Sequence, residues 1–274
     1  MTEFTKAHGN GNDFIIVDEW EGERVREPSG FAEKYCDRRF GVGADGVLFL
    51  RRPEEPTNDM RMVLVQPDGG EAEMCGNGAR CLVRYAVEEG YAQEDETVAV
   101  ETLAGVREAV CDGDEVRVEM GVPSFDADDV PARREVVREA IEGWEVTAVD
   151  TGVPHAVTFV EDLDAVDVNE KAPPVRNADV FPEGANVNFV ERDEDDVTFR
   201  VRTFERGVEA ETLSCGTGAV AVAAVARRLG KTRQDEVHVK KRGGPLTVTF
   251  EKRESEGTAY MSGPAVLVYE GETL

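Results

Sequence analysis

The chain has 274 residues, 41% of them apolar, which is enough for one large domain or two of ordinary size. Acidic residues outnumber basic ones by 57 to 31, for a net charge of −26, and the excess is spread along the whole chain. Such a composition is typical of a surface adapted to high salt. It argues against nucleic acid as a partner, because phosphate binding needs a basic patch. An acidic protein with a basic partner is the alternative.

The predicted elements follow from apolar periodicity. A helix is expected at 31–39, after Pro28-Ser29-Gly30, and two more begin at the cysteines of the segments 75–79 and 215–219. Acidic, proline-containing stretches at 123–131 and 166–174 are predicted to be connections, the first of them a domain boundary. Strands are predicted at 47–50, 61–65, 98–101, 116–120, 156–160, 197–204, 237–240 and 246–250.

The two cysteine segments are copies of one pattern. Cys-Gly-Asn-Gly-Ala at 75–79 recurs as Cys-Gly-Thr-Gly-Ala at 215–219, and each copy opens a helix-like stretch that stops at a glycine, Gly90 or Gly230. The flanks repeat at nearly the same offset. This indicates two structurally similar halves, each with mixed β structure and one prominent helix. The matched flanks are 98–101 with 237–240, 116–120 with 246–250, and 120–123 with 261–264.

The cysteines form no metal or dithiol motif, since their number is odd, their spacing is irregular and no Cys-x-x-Cys occurs. No apolar run reaches the about eighteen residues of a membrane span, and the N-terminal residues lack the apolar segment of a secretory signal. We therefore predict a cytoplasmic protein with free thiols, no metal and no membrane partner. Cys36, Cys81 and Cys111 are expected to be inert core residues.

A cysteine at a helix start has a different chemistry. The unsatisfied amides and the macrodipole favour negative charge there, so the pKa of Cys75 and of Cys215 is expected to be lowered. The glycines that follow allow a ligand to approach the backbone amides, where a carboxylate binds.

Two such cysteines on duplicated halves indicate inversion of a carbon. If the halves face each other, one thiol can remove a proton from one face while the other delivers a proton to the opposite face. Each acid–base group contributes only about 10²–10⁴-fold, so the helix N-termini must also stabilise the charge that builds on the carboxylate. The pattern predicts an amino-acid epimerase that needs no cofactor.

Three separated motifs resemble those of the diaminopimelate epimerase family, whose members interconvert LL- and meso-diaminopimelate on the route to lysine without a cofactor. The opening FTKAHGNGNDF at 4–14 is similar to the family's N-terminal signature. MCGNGARC at 74–81 is close to its first catalytic motif, and FERG at 204–207 followed by ETLSCGTG at 211–218 is similar to the second. The motifs stand in the family's order, and the resemblance covers nearly the whole chain.

The resemblance implies a role for each matching position. Cys75 and Cys215 would be the acid–base residues, and His155 and Glu205 would tune their protonation. The amino and carboxylate groups at the reacting centre would be held by Asn12, Gly76, Asn77, Gly216 and Thr217. The distal end of the substrate would be recognised by Gln66, Asn186, Glu205 and Arg206.

The resemblance also implies an α+β fold of two similar, barrel-like mixed-sheet halves, each wrapped round a central helix, with the active site between them. Residues 1–121 would form the N-terminal half, with 264–274 as a candidate completion of it, and 122–263 the C-terminal half. The partner would be a small amino acid, and the family precedent is compatible with a homodimer.

Some positions depart from the family pattern. Val153 stands where the family usually has asparagine, Gln66 replaces a common asparagine, and Gly46 stands where some members carry glutamine. The gap from Arg206 to Cys215 is one residue longer than in many members. These changes leave two alternatives open: a related two-cysteine racemase of another amino acid, of which the proline racemase family is one example, and a non-catalytic amino-acid-binding protein on the same scaffold.

Overall fold

The computed structural model describes residues 1–251 and 257–274. Its contacts divide the chain into two compact units. The first unit comprises Met1–Glu119 and Ser262–Leu274, and the second unit is Met120–Met261. Each boundary falls two residues before the position predicted from the sequence. No helix in the described residues is long and apolar enough to cross a membrane.

Ten elements come first along the chain. They are β1 (Glu3–Gly9), β2 (Asn12–Asp18), α1 (Pro28–Tyr35), β3 (Gly46–Arg51), β4 (Met60–Val65), β5 (Glu71–Ala72), α2 (Gly76–Glu88), β6 (Thr97–Thr102), β7 (Gly105–Asp112) and β8 (Glu115–Gly121).

In the described part of the rest of the chain, twelve elements follow. They are β9 (Glu139–Ile141), β10 (Trp144–Asp150), β11 (Pro154–Phe159), α3 (Val168–Arg176), β12 (Asn186–Arg192), β13 (Thr198–Glu205), β14 (Ala210–Thr212), α4 (Gly216–Arg228), β15 (Glu236–Lys241), β16 (Gly244–Glu251), β17 (Thr258–Pro264) and β18 (Val266–Glu272).

The strand pairing of the first unit is repeated in the second. In the first unit β1 is antiparallel to β2 and to β18, β2 is parallel to β3, β3 is antiparallel to β4, β4 is parallel to β6, and β6 is antiparallel to β7. The second unit has the same alternation of antiparallel and parallel pairs along β10, β11, β12, β13, β15 and β16. The strand β9 lies beside β10, in the place that β18 takes beside β1. The short strands β5 and β14 also correspond.

In each unit a 13-residue helix lies against the sheet and contacts most of its strands. The helix α2 contacts β1, β2, β3, β4, β7 and β18, and α4 contacts β10, β11, β12, β13, β15 and β16. Strands lie about 4.8 Å apart, so from β18 to β7 a flat sheet would extend about 29 Å. A helix of 13 residues is only about 20 Å long. Each sheet must therefore curve around its helix, and the predicted α+β class with two similar mixed-sheet halves is confirmed.

The two helices begin and end as their sequences predict. Cys75 and Cys215 are the N-cap residues, with extended backbone, and the helices run from Gly76 and from Gly216. Gly90 and Gly230, just past the helix ends, have φ of +75° and +67°, which glycine adopts without a steric penalty. All α4 residues from Ala219 to Ala226 are buried, and Ala224 is the most exposed of them at 6%, as expected for a helix enclosed by a sheet.

Three predictions of local structure were wrong. The helix predicted at 31–39 is α1, which starts earlier, with Pro28 in its first turn, and ends at Tyr35 because the Asp37 carboxylate accepts bonds from two following amides. The supposed connection 166–174 contains α3. Its N-cap Asp167 accepts a bond from the Glu170 amide, and the buried Val168, Ala172 and Val175 have helical spacing despite two prolines.

The third error concerns the repeat. The strand β7 was not predicted, and 246–250 was matched to 116–120. In the structure β16 corresponds to β7, because each is the second strand of a hairpin, after β15 and β6 respectively. The strand β8 then corresponds to β17, in agreement with the weaker match between 120–123 and 261–264.

Candidate active site

The first cysteine is held at the start of α2. The sulfur of Cys75 accepts a bond from the Gly78 amide at 3.5 Å, and its thiol donates to Asn12 Oδ1 at 3.7 Å. Asn77 Nδ2 donates to the same Asn12 oxygen at 3.1 Å. The structure therefore brings together Asn12, Cys75 and Asn77, with Gly76 between the last two in the chain.

Asn12 is fixed by a cluster of charged groups. Its Nδ2 donates to Asp45 Oδ2 at 2.7 Å, and Arg38 bridges Asp45 and Asp13 with 2.6 Å bonds to each. The buried Lys6 donates to Asp13 at 2.6 Å and to the Gly43 carbonyl. Burial would raise the pKa of Asp13, but the bonds from Arg38 and Lys6 lower it to about 2. This carboxylate stays charged and anchors the loop beside Asn12.

Asn77 is oriented by a buried arginine. Arg80 has no exposed surface, and its Nη2 donates to Asn77 Oδ1 at 2.7 Å and to Asn10 Oδ1 at 2.9 Å. Its Nε and Nη1 have no hydrogen-bond partner among the described residues. Burial lowers the pKa of Arg80, and the nearby thiols Cys81 and Cys75 oppose that shift. Arg80 thus places a cation inside the first unit close to Cys75.

The second cysteine, Cys215, is more deeply buried, with 5% of its surface exposed. Its sulfur lies 3.4 Å from Thr217 Oγ1. Burial and, to a lesser extent, the charge of Glu205 raise the pKa of Cys215 to about 11, against the opposing effects of Lys241, Thr217 and the Gly218 amide. The expected lowering of this thiol pKa by the helix N-terminus is therefore wrong, because desolvation outweighs the helix amides.

A chain of polar side chains lies beneath Cys215. Lys241 Nζ donates to Thr203 Oγ1 at 3.1 Å, and Thr203 Oγ1 donates to Asn188 Oδ1 at 2.9 Å. Asn188 Nδ2 lies 3.1 Å from His155 Nδ1. His155 is fully buried, and its Nε2 has no partner among the described residues. Burial, then the charges of Lys241 and Arg206, lowers the pKa of His155 to about 3, so the imidazole is neutral.

Asn186 and Arg206 lie together at the ends of β12 and β13. The Arg206 amide donates to Asn186 Oδ1 at 2.8 Å, and Asn186 Nδ2 donates to the Pro154 carbonyl at 3.1 Å. Arg206 Nη1 bonds the carbonyl of Gly184 at 3.4 Å. Both polar atoms of the Asn186 side chain thus hold backbone, so this residue positions the segment that carries Arg206.

The three positions that depart from the family pattern lie at the ends of strands. Gln66 is exposed in the turn after β4, where its backbone amide donates to the Gly70 carbonyl. Val153 precedes β11, and its carbonyl accepts a bond from the Thr151 amide. At Gly46 a Cβ atom would come within 3.0 Å of Leu64 and 3.2 Å of the Val65 carbonyl, so this backbone packs too closely for a longer side chain.

The other cysteines have the properties of core residues. Burial raises the pKa of Cys36 to about 11, that of Cys81 to about 12, and that of Cys111 by a smaller amount. Within 1–251 and 257–274 no three His, Cys, Asp or Glu side chains are arranged to hold a metal ion.

Sequence reasoning missed Lys241, Thr203, Asn188 and Arg80. Asn188 on β12 and Thr203 on β13 are polar residues on the buried faces of their strands, and a polar residue at such a position is a usable signal. Lys241 and Arg80 gave no such signal, because a strand end and a helix surface are ordinary places for cations.

Comparison with known proteins agrees with this geometry. The family model described as diaminopimelate epimerase matches twice, over residues 4–125 and 147–268. Diaminopimelate epimerases of Methanocella arvoryzae and Archaeoglobus fulgidus are 52% and 48% identical to the chain, over 98% of it and 96% and 95% of their own lengths.

Two solved structures have the same fold. A phenazine biosynthesis protein of the PhzF family from Bacillus anthracis has a TM-score of 0.74 at 21% identity, covering 100% of this chain and 99% of its own. A hydroxyproline epimerase from Agrobacterium vitis has a TM-score of 0.69 at 18% identity, covering 98% and 91%. The two matches of one family model, and relatives of about half-identical sequence over nearly the full length, show that the chain belongs to the diaminopimelate epimerase family.

Proposed function

We propose that this protein interconverts LL- and meso-diaminopimelate, with Cys75 and Cys215 as the acid–base residues of an inversion that needs no cofactor. The observation that carries the proposal is the equivalence of the two thiols. Each is the N-cap of the one helix enclosed by its sheet, in units with the same strand pairing. A protein that only binds an amino acid needs neither thiol.

The reaction balances with two thiols alone. One cysteine, as thiolate, takes the α-proton and becomes a thiol, and the electron pair of the broken C–H bond stays on the α-carbon. The other cysteine, as thiol, delivers its proton to the opposite face and becomes the thiolate. Inversion therefore leaves the pair with its protonation exchanged, and the reverse reaction starts from that state.

The groups around each cysteine would hold the reacting centre. The amides at Gly76 and Asn77, and those at Gly216 and Thr217, lie in the first turns of their helices, where a carboxylate is stabilised. As negative charge develops during proton removal, these donors are worth most. Asn12, fixed by Asp45 and Asn77, would contact the amino group or the carboxylate.

The distal end of diaminopimelate is a second amino acid group, and a zwitterion calls for one cation and one anion. Arg206 would bind its carboxylate, for which a guanidinium is geometrically suited, and Glu205 its ammonium. Gln66 would add an amide, while Asn186 holds the backbone of Arg206 in place. His155, neutral and buried, would act through the Asn188 bond rather than through charge.

A second candidate function is racemisation of another amino acid by the same two thiols. The observation that favours it is Val153, an apolar side chain where the family resemblance calls for an amide. Glu205 and Arg206 favour diaminopimelate over a substrate with an apolar side chain.

The test is incubation of the protein with LL-diaminopimelate in D₂O, followed by NMR and by separation of the stereoisomers. We expect deuterium to enter the meso product first, because the thiol that delivers the new hydrogen has exchanged with solvent. No α-proton exchange with any amino acid would overturn the enzyme assignment. Exchange with other amino acids but not with diaminopimelate would overturn the substrate. Cys75→Ser and Cys215→Ser should each lose inversion by about 10²-fold or more, and Cys111→Ser should not.

We also infer that the surface is adapted to high salt. The support is the excess of carboxylates, 57 acidic against 31 basic residues, whose mutual repulsion salt screens. The midpoint of thermal unfolding should rise markedly between about 0.1 M and about 2 M KCl. A midpoint that does not change with KCl would contradict this inference.

A further inference from the structure

In the first turn of α4, the ends of three side chains lie close to the place where Gly218 would carry a side chain. A Cβ atom placed there would lie 2.8 Å from Asn188 Oδ1, 3.3 Å from Cys215 Sγ and 3.4 Å from Lys241 Nζ. Because Lys241 Nζ and Cys215 Sγ are both this close to the same Cβ position, the distance between them cannot exceed the sum of those two distances. The Lys241 ammonium group is therefore close enough to the Cys215 sulfur for a direct electrostatic interaction.

The ammonium group is held in this place. Lys241 is the last residue of β15, and its Nζ donates to Thr203 Oγ1, which in turn donates to Asn188. Burial lowers the pKa of Lys241, while Cys215 and Glu205 raise it. Lysine is partly buried here, and a partly buried ammonium is stabilised by a nearby anion.

At the equivalent point in the first unit, the nearest atoms are carbon atoms. At Gly78 a Cβ atom would lie 3.1 Å from Leu48 and 3.5 Å from Phe14, both apolar. Thr102, the last residue of β6, stands where Lys241 stands in β15, and its hydroxyl donates to the Gly105 carbonyl. A lysine at this strand position is thus present in the second unit and not in the first, where the cation close to Cys75 is Arg80 of α2.

Few other charged groups face Cys215. Glu205 on β13 is the carboxylate that acts on it, and Lys241 on β15 is the cation. The strands packed against α4 also carry the neutral His155 on β11 and Asp150 at the end of β10, and the cation Arg206, just after β13, acts on both. Of the two charges that act on Cys215 itself, Glu205 disfavours a negative charge on the sulfur and Lys241 favours it.

We propose that Lys241 is a positioning residue for proton transfer at Cys215: anchored on Thr203, its ammonium group stabilises the Cys215 thiolate. The proposal rests on the acid–base role proposed above for Cys215. When Cys215 delivers its proton to the α-carbon, a thiolate remains. Its burial and its repulsion by the Glu205 carboxylate both destabilise it, and the fixed Lys241 cation offsets both effects. Near Cys75 the buried cation is Arg80 of α2 itself, and the position that corresponds to Lys241 is Thr102.

The test compares the alkylation of individual cysteines in Lys241→Met, Lys241→Arg and the unaltered protein. Because only the thiolate reacts, the rate of iodoacetamide modification at Cys215, followed by peptide mass spectrometry over a range of pH, reports its protonation. An opposite charge at this range shifts a pKa by about 1–3 units. We expect Lys241→Met to slow the modification of Cys215 at least about tenfold near pH 8 and to move its midpoint upwards.

Three controls make the result decisive. Cys75 in the same samples should react at an unchanged rate, and Lys241→Arg should restore most of the Cys215 rate. Lys240→Met, which removes the neighbouring exposed lysine that bonds Asp193, should have no effect. Unchanged Cys215 alkylation in Lys241→Met, or an equal loss at both cysteines, would overturn the proposal. The readout needs no substrate, so it stands apart from a failure of the epimerase assignment.

Discussion

Phe14 and His155 occupy the same position in the two repeats. Phe14 on β2 is opposite Gly46, the first residue of the parallel strand β3, and His155 on β11 is opposite Asn186, the first residue of the parallel strand β12. Two residues along, Leu48 pairs with Leu64 in the first unit, and Asn188 pairs with Thr203 in the second. The same backbone arrangement thus carries an apolar layer beneath Cys75 in the first unit and a polar layer beneath Cys215 in the second.

Replacement of His155 should reduce the loss of stability in mild acid. Its pKa is about 3 in the folded protein, against an ordinary value of 6.5. Between these values the unfolded chain binds more protons, so the free energy of unfolding rises with pH up to about 6.5 and falls as the pH drops below it. In guanidinium unfolding between about pH 4.5 and 8, His155→Gln should therefore show a smaller fall in stability on acidification than the unaltered protein.

The matched control is His238, whose side chain is 42% exposed on β15. His238→Gln should leave the acid slope nearly unchanged. If His155→Gln and the unaltered protein had the same slope, the imidazole could not be held neutral by burial as described.

The repeated architecture could be predicted from the sequence alone. The glycine-stopped helices after Cys75 and Cys215 are strong signals, because few other patterns place a cysteine cap and a C′ glycine in both halves at one offset. The helix α3 was missed because its two prolines resemble a loop, and only the spacing of Val168, Ala172 and Val175 shows otherwise.

The site was less predictable. Asn12, Cys75 and Asn77 were predicted, and they contact one another. The charge beneath Cys215 could not be predicted, because Lys241 is distant from the Cys215 motif in the chain. It approaches the sulfur only through the pairing of β15 with β13. The balance of burial against helix amides at Cys215 is also a property of the packed structure, since no local pattern states how deeply a thiol is enclosed.

Glu211 should be important for the stability of the second unit. Its carboxylate accepts two bonds from Arg202, at 2.7 and 2.8 Å, and only 7% of its side chain is exposed. Glu211→Gln leaves the guanidinium without its charge partner, and we expect a loss of about 2 kcal/mol in the free energy of unfolding. Glu209→Gln weakens a pair with Arg176 in which the carboxylate side chain is 48% exposed, and it should cost less than about 1 kcal/mol. Equal losses in urea titrations would contradict this ranking.

Val153→Asn should improve the use of diaminopimelate. Val153 follows Gly152 (φ +94°) at the start of β11, as Asn12 follows Gly11 (φ +83°) at the start of β2. An added amide there that hydrogen-bonds the substrate is worth about 1 kcal/mol, so KM should fall about fivefold with kcat nearly unchanged. Val208→Asn, at a valine that is 59% exposed, is the control and should leave KM unchanged. An unchanged KM in Val153→Asn would mean that this position does not contact the substrate.

Gly218→Ala should damage activity more than Gly78→Ala, although both glycines are the third residue of their helices. The methyl group at Gly218 would lie 2.8 Å from Asn188 Oδ1, whose position is fixed by Thr203, and 3.3 Å from the Cys215 sulfur. At Gly78 the nearest atom is a Leu48 methyl group at 3.1 Å, which can move by a small rotation. Alanine gains about 0.5–1 kcal/mol of helix stability over glycine in both variants, so this term cancels in the comparison. We expect kcat/KM to fall at least about tenfold further in Gly218→Ala than in Gly78→Ala, while equal losses would show that the polar layer beneath Cys215 yields as easily as the apolar one beneath Cys75.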